Sequence, residues 1–147
     1  MLLDDLLSQE RAKLIQLQPF AYTALFPIAG FVAGAVLAIN VPINNDSDFV
    51  WRYTTLTAMS AAGVPVVVPD YTVQFFDTGS GRNFQDQPRH VLNCMGTAQL
   101  PYILPEPLRI AAASILIVTM TNIGGPAALA YVELSGMKVF NLSGYAR

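Results

Sequence analysis

Apolar positions recur along this chain with two different periods, and the change of period divides it. Between residues 2 and 17, Leu3, Leu6, Leu7, Leu14 and Leu17 stand close to the 3.6-residue repeat of an amphipathic helix. Asp4 and Asp5 fall in its first turns and Arg11 and Lys13 nearer its end, the order that the helix dipole favours. Pro19 is the predicted stop. Beyond it no helical repeat returns. Residues 20–28 read as an extended segment, and residues 35–43 as a strand apolar on both faces, the pattern of a buried sandwich strand. Asn44, Asn45, Asp46, Ser47 and Asp48 make a turn by composition. Residues 49–57 alternate, which places Phe49, Trp51 and Tyr53 together on a core-facing side.

The second half continues in the same manner. Residues 64–68, with Pro65 and Pro69, form an edge or loop piece. A strand over 71–76 leads into a turn over 77–82 and a polar loop over 83–88. Residues 89–95 suggest a further strand that ends at Gly96. From Leu100 to Phe140 the pattern is strand, turn, strand, turn, strand, with the turns at 111–114 and 122–126. Pro101, Pro105 and Pro107 mark the first of these as a blunted sheet edge, because proline cannot donate to a ladder. About eight strands and one helix predict an all-β, jelly-roll-like antiparallel β-sandwich. The division is an N-terminal helical arm over 1–18 and a sandwich domain over 19–147. An isolated helix of this length is marginal in water, so it must dock on its own body or on a neighbour.

Composition changes this picture in one respect. Charged residues make up 12% of the 147, against about 25% in an average soluble domain, while 53% are hydrophobic. Not all of that apolar surface need fit into one small core. A membrane or partner subunits would supply the remainder, and permanent interfaces resemble a domain core cut in half. Residues 20–41 are long and apolar enough to span a bilayer, with Gly30 and Gly34 in a GxxxG pair. Pro19, Pro27, Pro42 and Asn40 argue for buried strands instead, so no membrane association is expected. Asp4, Asp5 and Glu10 stand where a secretory leader needs a basic region, so no leader is expected either. The net charge of −2 speaks against nucleic acid as a partner. A single cysteine, Cys94, excludes an intrachain disulfide.

Candidate chemistry is sparse. Asp77-Thr78-Gly79, after Phe75-Phe76, matches the active-site loop of aspartic proteases, in which two such aspartates share a proton, so this chain would have to act as a dimer. The polar run over 81–88 departs from that family's apolar continuation, and so short a pattern reads first as an ordinary turn after a strand. His90 and Cys94 on one strand would lie about 13 Å apart, too far for a nucleophile–base pair. Asn44, Asp46 and Asp48 open like a calcium loop, but Phe49 and Thr55 occupy the places that need Gly and Glu. Asn141-Leu142-Ser143 is a glycosylation sequon that carries no meaning without secretion. No catalytic residue, cofactor or metal site is expected, and the chain does not read as an enzyme.

Several ordered pieces resemble a known family. They are residues 48–52, residues 73–82 followed by Gln87-Pro88, Gly96-Thr97 with residues 101–107, and residues 114–118 with Asn122 and residues 132–140. Together they look like the small jelly-roll virion proteins of tailed phages, of the cement or decoration type. The resemblance spans roughly residues 35–140. It implies a capsid decoration subunit made in the host cytoplasm and carried on the capsid surface. Its expected partners are the major capsid protein and itself, as a dimer or trimer. The apolar helix face, Leu3, Leu6, Leu7 and Leu14, is the expected contact surface, with the loop over 83–88 as a second. The alternative is a tail- or fibre-associated module that binds glycans through Tyr102 or Tyr145, and the homodimeric protease comes last.

Overall fold

The computed structural model describes residues 2–12 and 14–141. The helix α1 (Leu2–Arg11) is followed by nine strands: β1 (Ile15–Phe26), β2 (Val36–Pro42), β3 (Asp48–Ser60), β4 (Tyr71–Asp77), β5 (Arg82–Asn83), β6 (Arg89–His90), β7 (Tyr102–Ile110), β8 (Ile115–Asn122) and β9 (Ala128–Asn141). They form two antiparallel sheets packed as a sandwich. The first sheet has the order β1-β9-β3-β7, and the second has β2-β8-β4-β5, with β6 also on β4. The pairing nests: β1 joins β9, β2 joins β8, β3 joins β7, and β4 joins the short β5 and β6. The all-β sandwich with an N-terminal helix is therefore the fold, and the last three strands lie where their apolar runs and turns place them.

Alternation sets the core. Tyr22, Ala24 and Phe26 of β1 point inward with Val132 and Leu134 of β9, against Val73, Phe75, Leu116, Val118 and Met120 of the second sheet. Aromatic rings meet edge to face in this core: Trp51 on Phe75 at 4.9 Å ties the two sheets together, and Tyr22 on Phe49 at 4.9 Å links β1 to β3 within the first. Asn122, fully buried, fastens one end of the sandwich. Its Nδ2 donates to the carbonyls of Phe31 and Pro126, both at 3.1 Å, and its Oδ1 accepts from the Gly125 N–H at 2.9 Å. A buried amide satisfied on both sides specifies the turn that it closes.

Four expectations change. The helix ends at Arg11, not at residue 17, and residue 18 lies inside β1. Residues 15–18 alternate apolar and polar, and they complete the ladder to the end of β9, with Ile15 opposite Asn141 and Gln18 opposite Lys138. Pro19 does not stop a helix; it sits in an edge strand, where a missing N–H is tolerated. Tyr53 leaves the face of Phe49 and Trp51, because the register shifts at Arg52. Thr54 is buried in its place, and a β-bulge reverses the alternation. Residues 89–95 are two strand residues and a 3-10 turn over Val91–Asn93 rather than one strand. Finally, β2 is an edge strand with only one face inward: Val36 is 61% exposed while Val41 is buried.

The edge predicted from proline is real. β7 pairs only with β3 and closes the first sheet. Ile103 lies opposite Tyr53 and Leu108 opposite Trp51, so Leu104, Pro105, Glu106 and Pro107 bow out beside the single residue Arg52.

Candidate interaction surfaces

The residues singled out for chemistry are occupied in holding turns. Asp77, buried at the end of β4, accepts hydrogen bonds from the Gly79 N–H at 3.0 Å and the Ser80 N–H at 3.2 Å. Thr78 Oγ1 accepts from the Ile115 N–H at 2.9 Å. The triplet is a side-chain-capped turn before β5, and Gly81, at φ 66°, supplies its left-handed residue. His90 Nδ1 accepts from the Leu92 N–H at 3.3 Å, and its Nε2 lies 3.3 Å from Asp70 Oδ1. The 3-10 turn brings Cys94 back under His90, whose carbonyl accepts from the thiol at 3.6 Å. The imidazole itself faces Asp70 and Leu92.

Two of the three residues that resemble the start of a calcium loop are engaged by basic side chains. Asp48 binds Arg109, with Oδ2 2.7 Å from Nη2, and accepts from the Ala112 N–H at 2.9 Å. Asp46 lies 3.4 Å from the ammonium of Lys138, a buried lysine whose Nζ also stands 4.2 Å over the Phe20 ring. Among the described residues no group of three or more His, Cys, Asp or Glu side chains is arranged to hold a metal ion.

The four leucines expected to make contacts do not share one environment. Leu6 is 1% exposed and forms a second, small core with Ile15, Val50 and Val139, flanked by Leu2 and Leu17. These partners lie on the outer face of the first sheet, so α1 docks on its own chain and covers the part of that face around Ile15, Val50 and Val139. Leu3 is half-buried, whereas Leu7 and Leu14 are 37% and 51% exposed. Leu14 lines a groove of about 460 Å³ with Gln9, Asn45, Asp46, Asp48 and Arg109. The loop over 83–88 is half folded in: Phe84 packs on the main core, and Gln85 Oε1 accepts from the Phe75 N–H at 2.9 Å.

The surface that sequence reasoning missed is the outer face of the second sheet. Val36, Thr121 and Thr72 stand in one cross-strand row; Ala38, Thr119 and Gln74 in the next; Asn40, Ile117 and Phe76 in a third. None of these nine residues is charged. A signal was present: Asn40 and Pro42 share the parity of Val36 and Ala38, so only the odd residues of this run form an unbroken apolar face. A second apolar surface lies on the loop after β3, where Val67 is 88% exposed and Val68 71%; Val67 lines a small cleft with Leu92 and Thr97.

No helix among the described residues is long and apolar enough to cross a membrane, and residues 20–41 are divided between β1 and β2. Comparison with protein-family models, with curated proteins and with solved structures finds no match for this chain. Its class is defined by its fold: a two-sheet antiparallel β-sandwich with a helix laid on one outer face.

Proposed function

We propose that the chain is a structural subunit of a virus particle, a jelly-roll cement subunit on the outer surface of a tailed-phage shell. The nested order of pairing supports the jelly-roll reading. First strand with last, second with second-to-last, and so inward is how one long antiparallel ribbon rolls into two sheets. The observation that carries the functional reading is the uncharged patch of three rows that β2, β8 and β4 present on the outer face of the second sheet. A solvated sheet face ordinarily alternates into polar and charged residues, and a subunit that works while packed against others has no need of them. Its partners on this reading are the major capsid protein and further copies of itself, as a dimer or trimer. Its mechanism is adhesion: apolar and backbone contacts bury area, and many copies multiply a modest gain per copy. It catalyses nothing, and Asp77 serves its turn.

The test is sedimentation of the purified chain with DNA-filled particles. The expected result is co-sedimentation at a fixed ratio to the major shell protein. A chain that stays in the supernatant at every ratio rejects the proposal.

A further inference from the structure

The edges of this sandwich are not protected alike. On one side lie β7 and the two-residue strands β5 and β6. Pro105 and Pro107 blunt that side, and Glu106, Arg109, Arg82 and Arg89 charge it. These are the devices that keep a sheet edge from pairing with another chain. On the other side lie β1 and β2, and no charged residue occurs from Leu14 to Asn45. β2 pairs with β8 over its whole length without a register shift, and its one proline, Pro42, is its last residue.

The open backbone of β2 can be assigned by parity. The Asn122 N–H donates to the Ala35 carbonyl and the Ile43 N–H to the Ser114 carbonyl, which brackets the strand. In an uninterrupted antiparallel ladder between those bonds, Leu37, Ile39 and Val41 exchange hydrogen bonds with β8. The N–H and C=O groups of Val36, Ala38 and Asn40 therefore point the other way, toward the open edge, and all three residues are exposed.

We infer that β2 is the seam of a two-fold homodimer, in which the β2 strands of two copies pair antiparallel and the second sheet runs through both molecules. This rests on the reading that the chain works packed against other subunits. The occupant is a second copy because the surface is self-complementary. Two-fold antiparallel pairing sets each free N–H against a free C=O of the mate. It also brings uncharged surface against uncharged surface, whereas an acidic or basic partner finds no counter-charge there. The strand offers a seven-residue edge, Val36–Pro42, and β1 adds further uncharged surface beside it.

Sedimentation velocity of the full chain, from about 1 to 100 μM, tests the dimer. The wild type is expected to dimerise. Ala38→Lys sets two like charges across the seam, and Ala38→Pro removes one outward N–H without touching the ladder to β8. Each is expected to raise the dissociation constant about tenfold or more. Thr57→Lys, on the exposed outer face of the first sheet, is expected to leave it unchanged. Hydrogen exchange of the wild type needs no variant: the Val36, Ala38 and Asn40 amides are expected to slow as concentration rises. A wild type that stays monomeric, fast exchange at all concentrations, or natively folded Ala38 variants that dimerise like the wild type overturns the inference. A monomer that still co-sediments with particles sinks the dimer and spares the proposed function; a dimer that ignores particles does the reverse.

Discussion

The thiol of Cys94 sits under the 3-10 turn, 8% exposed, with its proton directed at the His90 carbonyl. Burial pushes its pKa up to about 11, against the smaller opposing pull of Arg89. An unfolded thiol titrates near about 8.5. The folded chain therefore holds this proton more tightly than the unfolded chain. The associated stability is fully present below about pH 8.5 and is lost as pH rises toward 11. Two measurements check this. The denaturation midpoint should fall across that window and fall less in Cys94→Ala, and alkylation of the native thiol should stay slow until the pH nears 11. Tyr71 is displaced in the same direction by burial, and its hydroxyl has no hydrogen-bond partner among the described residues. At this scale Asp77-Thr78-Gly79 does a turn's work, with the buried Asp77 accepting from the Gly79 and Ser80 N–H groups.

Among the elements, α1 is the one whose role its leucines predicted only in part. Its apolar stripe is genuine, but its central member, Leu6, is used within the chain, against Ile15, Val50 and Val139. Leu6→Ala should cost about 2–4 kcal/mol of stability, read from chemical denaturation, as for a leucine removed from a packed site. Leu7→Ala, at a position 37% exposed, should cost much less. Deleting residues 1–12, which spares β1, separates helix contacts from strand contacts; unchanged association with shells after that deletion would reject the helix as a contact surface. The strands from β7 onward were legible because proline, small-residue turns and apolar runs all marked the same boundaries. Three features were not. The bulge at Arg52 is hidden because Tyr53 continues the aromatic alternation that the register shift breaks. The 3-10 turn is hidden because Val91 and Leu92 suit a strand equally well. The open face of β2 is hidden because valine and alanine there look like core, and only a partner or an edge makes such residues tolerable outside.

In the whole molecule, charge among the described residues lies mostly on the helix, the end turns and the edges opposite β1 and β2. Glu133 and Lys138 of β9 and Arg52 of β3 are exceptions in the first sheet, whereas the three rows of β2, β8 and β4 on the outer face of the second sheet carry no charge. Association through that face and the β2 edge should depend little on ionic strength. The dimer dissociation constant and the particle-bound fraction should change by less than about threefold between 0.05 and 0.5 M salt, since screening acts on charges and these surfaces have few. A steep loss of binding with salt would point to Arg82, Arg89 and the other charged edge residues. The nested pairing also sets an order in time. Ile15 finds its partner at Asn141, and β9 lies between β1 and β3, so the first sheet cannot close until nearly the whole chain has left the ribosome. Until then the uncharged residues of the N-terminal strands have no ladder and no cover. Contacts this distant in sequence fold in milliseconds to seconds rather than microseconds. A chain truncated before Ala128 would therefore present sticky, unpaired strands to its siblings and should collect in inclusion bodies rather than fold.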